Sequence, residues 1–175
     1  MNKFTLMAHY NQRMNQQLLT ASELLTHQQL LQETHSFFST VMGYWNHLLF
    51  GDLIMIGRLA NNKIGGLSVS LLKDLPSPRS PQDYYSDSLE EVRQWRLIID
   101  SIILDMAQSL NDEAIAKNVT YTTTEGQSVS LSVDVFCQHL FNHQTHHRGQ
   151  LTCVLSQLGV DFGCTDLPII TSDCY

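Results

Sequence analysis

The sequence predicts an all-α protein: a four-helix bundle with a long crossover loop and a small β-hairpin or extended strap before the last helix. Three observations lead there. Four long stretches carry apolar residues three or four positions apart. A Gly-, Ser- and Pro-rich interval separates the second stretch from the third, and a short segment between Val119 and Val133 changes to a period of two.

The first helix is predicted from about Lys3 to Leu25, where Phe4, Met7, Tyr10, Met14, Leu18, Ala21 and Leu25 form its stripe. The second is predicted from about Phe37 to Ala60, with Val41, Tyr44, Leu48 and Met55 on one face. Residues Asn61 to Tyr85 ("NNKIGG", "DLPSPRSPQD") form the crossover. Pro76, Pro78 and Pro81 forbid a regular helix there and leave room for a single turn. The third helix opens at "SLEE", where Ser88 can cap the chain end and Glu91 can reach back to it. Its stripe is Leu89, Val92, Arg96, Ile99, Ile103, Met106 and Leu110, with Arg96 the one polar member. Val119, Tyr121 and Thr123, then Val129, Leu131 and Val133, alternate with polar residues around an "EGQ" turn. The fourth helix is predicted from about Asp134 to Leu158, stopping at Gly159, and the tail after it is irregular. A chain of 175 residues with these elements is expected to form a single domain over residues 1–175.

Composition narrows the function classes. At 43% hydrophobic and 15% charged residues, the chain is neither disordered nor membrane-spanning. The polar N-terminus lacks the apolar core of a secretory signal. Cys137, Cys153, Cys164 and Cys174 show no CxxC spacing, and two of them fall in the last helix, as suits reduced thiols in a cytoplasmic protein. A net charge of −7 with no basic run argues against a nucleic-acid partner. Gly-rich phosphate loops and Ser/His/Asp groupings are absent too.

The chemistry gathers in "FNHQTHHRGQ", residues 141–150. The apolar stripe of the last helix reads Phe136, Leu140, His143, His147, Leu151, Val154, Leu158, which puts two histidines at core-facing positions. A buried imidazole left unsatisfied costs roughly 1–3 kcal/mol, so neighbouring carbonyls and carboxylates, or a metal ion, must satisfy it. At i and i+4 the two rings stand on one helix face, the spacing that presents a pair to one ion. A third ligand must come from another helix. His47 in "YWNHLLFGD" is the candidate, and His139 is an alternative ligand or an orienting partner. His9, His27 and His35 lie off the stripes, and His146 points away from His147. Asp52, a carboxylate on an apolar stripe, is a candidate for orienting a ligand or moving a proton, or else for a salt bridge with Arg148 or Arg58. Gly149, costly in mid-helix, suggests the close approach of a neighbouring helix. Histidine ligands with an ordinary pKa of about 6.5 predict metal loss between about pH 7 and pH 5.

"YWNHLLFGDLIMIGRL", "CQHLFNHQTHHRGQLTCVLSQLG" and "VTYTTTEGQ" resemble the DinB family of the DinB/YfiT-like superfamily, over nearly the whole chain. The resemblance implies a four-helix bundle, often a homodimer, holding a divalent metal ion (zinc or nickel) through three histidines that match His47, His143 and His147. It implies a metal-dependent enzyme of the low-molecular-weight-thiol S-transferase kind acting on a small molecule. A metal-dependent hydrolase or a non-catalytic metal-binding stress-response protein is the alternative. Tyr10, Asp52 and Arg148 are then the candidates for proton handling or substrate anchoring. Met55 stands where the family commonly has Trp. For self-association, Arg93 and Trp95 lie outside the core stripe of the third helix.

Overall fold

The computed structural model describes residues 2–168 apart from 82 and 124, so Cys174 and the end of the tail lie outside the described residues. Four long helices carry the bundle: α1 (Lys3–Ser22), α3 (Val41–Asn61), α4 (Leu89–Ser109) and α6 (Val133–Gln157). Two short helices, α2 (His27–Leu30) and α5 (Asp112–Ala116), lie in the connections. Strands β1 (Asn118–Thr122) and β2 (Ser128–Ser132) form the antiparallel hairpin before α6, with Val119 opposite Leu131.

Each long helix begins on a side-chain oxygen that accepts an otherwise unpaired backbone N–H. Asn2 accepts from Thr5, Thr40 from Gly43, Ser88 from Glu91, and Ser132 from Val135. Asn2 also donates to the Ala107 and Leu110 carbonyls at 3.0 Å each, tying the start of α1 to the end of α4. Helix ends depart from expectation where local chemistry overrides the stripe. The first helix stops at Ser22 rather than Leu25, and Thr26 with Gln29 then forms a capping box that opens α2. The second starts at Val41 rather than Phe37, because His35 and Ser39 adopt φ of 52° and 61°, which no helix accommodates. The crossover holds two 3₁₀ turns, Ile64–Gly66 and Val69–Leu72.

α1 packs on α4 and α6, and α3 packs on the same two helices. Asn11 and Asn15 meet Asp100, while Phe4 meets Phe141 and Asn11 meets Arg148, so α1 runs antiparallel to α4 and parallel to α6. Leu48 meets Arg96 while Gly65 meets Met106, so α3 and α4 run parallel. The chain must therefore return along about 30 Å of bundle after α3, which is what the long crossover does. Asn62, at the end of α3, holds the hairpin by hydrogen bonds to both backbone groups of Thr120.

Two apolar clusters fill the interior, and a buried polar layer from all four helices lies between them. Arg96 faces Asp52 at 2.6 Å and also pairs with Asp100. The Asp52 contact is ionic, without the alignment of a hydrogen bond. Asn15 donates to Asp100 at 3.0 Å, and Arg148 donates to Asn11, Asn15 and Gln144. Two guanidinium and two carboxylate groups thus balance within the layer. Asp52 does make a salt bridge, but to Arg96 rather than to Arg148 or Arg58. Burial acts to lower the Arg96 pKa, yet Asp100 and Asp52 outweigh it and hold the guanidinium above its ordinary value. Cys137, Cys153 and Cys164 are free thiols. Among the described residues no helix is long and apolar enough to cross a membrane.

Candidate metal centre

The layer also corrects the phase of α6. Its buried face carries Phe136, Cys137, Leu140, Phe141, Gln144, Arg148, Leu151, Val154 and Leu155, so the predicted stripe holds toward both ends, but in mid-helix Gln144 and Arg148 take the fully buried positions in place of the histidines. His143 and His147 stand on the flank toward α3, half-buried. Gln144 donates to the Leu48 carbonyl at 3.2 Å. That bond links residues next to His143 and His47, and so fixes the register in which the histidines meet.

α3 supplies His47 to the pair. The donor nitrogens of His47, His143 and His147 all lie within 4.8 Å of one another. His47 Nε2 is 3.1 Å from His147 Nε2, close to the separation of about 3.3 Å between two nitrogens on one tetrahedral zinc ion. His147 Nδ1 lies 2.8 Å from Gln150 Oε1. With Nδ1–H donating there, the lone pair of His147 is left on Nε2, facing the other two rings. The Nδ1 atoms of His47 and His143 are buried without a hydrogen-bond partner. Two imidazole Nε2 atoms facing each other at hydrogen-bond distance, with His143 beside them, fit a shared cation.

Burial, followed by the charge of His147, pushes the His47 pKa down to about 4, with the Pro81 carbonyl opposing. Burial and then the neighbouring histidines, His147 foremost, push His143 down to about 3. Burial also lowers His147, against the pull of Gln150. All three rings are therefore neutral at pH 7, the form that binds a metal.

Three neighbours outside the predicted ligand set make the cluster possible. Phe38 stacks on His47 with ring centroids 4.0 Å apart and meets His147 edge-on at 5.4 Å. Gly43 lets that loop close, since a Cβ there would lie 2.1 Å from the Phe38 carbonyl oxygen. Gly51, four residues after His47 on the same face, receives the His143 ring; a Cβ there would sit 2.3 Å from its Cε1. Gly149, by contrast, is exposed with nothing within 4 Å of a Cβ, so helix approach does not explain it. Gly51→Ala is expected to weaken metal affinity by at least about tenfold, although alanine favours the helix by about 1 kcal/mol. The methyl group turns the His143 ring out of the cluster. Chelator competition reads the change, and unaltered affinity would show that the ring tolerates the displacement.

The other residues singled out from sequence are engaged elsewhere. Tyr10 donates to the Thr165 carbonyl at 2.6 Å with Arg148 over its ring, and Asp52 and Arg148 belong to the buried layer. His139 is exposed, its ring centroid 6.1 Å from that of His143, and it is not in the three-histidine group. Two cavities flank that group and share Pro81 of the crossover. One, of about 590 Å³, lies beside His47 and is walled by Phe37, Phe38, Asp83 and Tyr84. The other, of about 190 Å³, lies beside His143 and is walled by Phe50, Ile54, Met55, Arg58 and His139. Met55 is thus a wall of the smaller cavity and lies outside the three-histidine group.

Searches of curated proteins and of solved structures found no match. The model of the DinB family matches residues 1–172, essentially the whole sequence. On that match, and with the bundle and its three-histidine cluster in place, the chain belongs to the DinB family.

Proposed function

We propose that the protein holds one divalent metal ion, zinc or nickel, through His47, His143 and His147, and works as a metal-dependent enzyme of the low-molecular-weight-thiol S-transferase kind. The observation that carries the reading is the donor set: three neutral imidazoles with a cavity on either side and, among the described residues, no fourth His, Cys, Asp or Glu within the group. Structural zinc sites close with four protein ligands, whereas catalytic ones keep a position open. Imidazole donors suit zinc and nickel. A divalent ion held there supplies a Lewis acid that lowers the pKa of a thiol or of water. Phe38 shields the His47 side from solvent. Burial, followed by Asp87, raises Tyr84 to about 12, so its hydroxyl in the larger cavity remains a proton donor.

Hydrolysis fits less well. Among the described residues Asp83 is the only carboxylate lining either cavity, and it already accepts from the Arg79 N–H at 2.6 Å and from the Tyr85 hydroxyl. A non-catalytic role would suit a closed coordination sphere, for which His139 stands outside the group. Protein loaded with zinc or nickel is expected to conjugate a small thiol to a chlorinated or epoxide electrophile, and a chelator should abolish the activity. No turnover across several thiols with about one ion bound per chain would refute the assignment.

The same reading includes a homodimer. On α4, half-buried Trp95 packs against the core and Arg93 pairs with Glu23 at 2.6 Å. Leu97 and Ile98 of α4 are instead the outward apolar residues, 49% and 40% exposed. Light scattering at micromolar concentration should give twice the 19.9 kDa chain mass, and a clean monomer would defeat the proposal.

A further inference from the structure

Arg58 lies two helical turns beyond Gly51, about 10 Å along α3 from the residue on which His143 rests. Gly51, Ile54, Met55 and Arg58 follow the helical repeat, and all four line the smaller cavity together with His143. Ile54 and Arg58 also line a second cavity, of about 620 Å³, between α3 and the crossover. Arg58 therefore borders both spaces. Its guanidinium lies over the Tyr121 ring at 4.0 Å, and among the described residues no carboxylate pairs with it. Among the described residues neither space has an acidic side chain in its wall, and Lys73 adds a second cation at the larger one. In a chain of net charge −7, a groove that presents only cations is a local exception.

We propose that Arg58 anchors the carboxylate of a small substrate whose reacting end reaches the histidine cluster through the smaller cavity. The guanidinium fork matches a planar carboxylate in two-point contact, and the Tyr121 ring holds the fork in place. A monoanion suits the site better than a phosphate dianion, because the apolar walls (Phe50, Ile54, Met55) make each further buried charge expensive. The apolar body of the substrate lies along Ile54 and Met55. This inference rests on the S-transferase reading for the reacting end alone, since the anchor needs no metal.

Calorimetric titration separates the two. Metal-loaded protein is expected to bind 6-mercaptohexanoate about tenfold or more tightly than 6-mercaptohexanol, the effect of one charge-assisted contact. Arg58→Gln should erase that preference, while Arg58→Lys, a point charge without the fork, keeps part of it. Unchanged binding of the alcohol by Arg58→Gln shows that the fold survives. Metal-free protein should bind hexanoate with the same dependence on Arg58. If hexanoate follows Arg58 but neither thiol responds to metal, the anchor stands and the S-transferase reading falls. No preference for the carboxylate in the unaltered protein, a preference that persists in Arg58→Gln, or no hexanoate binding overturns the anchor.

Discussion

Arg96→Met is expected to destabilise the fold by about 3–5 kcal/mol at neutral pH, the range measured when one partner of a buried ion pair is removed. Arg96 is 1% exposed and is the cation in contact with both Asp52 and Asp100. Arg148, the other cation of the layer, is committed to Asn11, Asn15 and Gln144. Methionine fills the space but leaves two carboxylates without a counter-ion. Domains of this kind are stable by only about 5–15 kcal/mol, so the variant keeps a thin margin. The deficit should depend on pH with a definite sign. Burial already holds the Asp100 carboxyl above its ordinary value against the pull of Arg96, and removing Arg96 removes that pull. Groups raised in this way favour the native state below the unfolded pKa and cost stability as pH rises through the folded one. The gap to the unaltered protein should narrow as pH falls from about 7 toward about 4. Adding Asp52→Asn and Asp100→Asn should recover part of the loss. Denaturant melts at several pH values test this, and a deficit independent of pH would show that packing, not charge, is what Arg96 provides.

The layer also marks where the sequence can be read and where it cannot. Helix periodicity exposes the four long helices because most of their buried positions are apolar, and the change to a period of two exposes the hairpin. α6 breaks the rule: Gln144 and Arg148 are buried because partners on α1 and α3 satisfy them. A pattern built on apolarity assigns such residues to solvent and turns the helix toward its histidines. The histidines were still legible as a group, because i, i+4 spacing survives a rotation of the helix. Arg96 stood out as the polar member of an apolar stripe and Asp52 as another, but pairing them needed the packing of α3 on α4. Phe38 and Pro81 reach the cluster from loops, by way of backbone turns with no periodic signature. Gly51 had a local signal: a glycine one turn after His47 leaves room on the face that carries the ligand.

Loss of metal should be the largest functional effect. His143→Ala and His147→Ala are each expected to lower affinity by more than about a hundredfold, beyond the 10–100-fold typical of orienting partners alone. His47→Ala should act in the same direction, and unchanged metal content in that variant would remove His47 from the ligand set. The pH dependence differs from the one that free imidazoles imply. Ordinary histidines would release the ion between about pH 7 and pH 5. Here burial and mutual repulsion place His47 at about 4 and His143 at about 3, so protons compete only in stronger acid. Binding should hold through about pH 5 and fail toward pH 4 and below. For stability, the folded values lie below the unfolded value of about 6.5, so neutral rings favour the native state above that pH. The contribution is lost as pH falls from about 6.5 through the folded values, and bound metal adds its own share by mass action until it leaves. Release then overlaps the carboxylate range, so its midpoint does not identify the ligands. Removing one ring at a time does: each of the three His→Ala variants should take up fewer protons per ion released than the unaltered protein. Metal release followed with a pH-corrected chelator, together with proton uptake in weak buffer, gives that count. A count that none of the three substitutions lowers would exclude three histidines as the ligands.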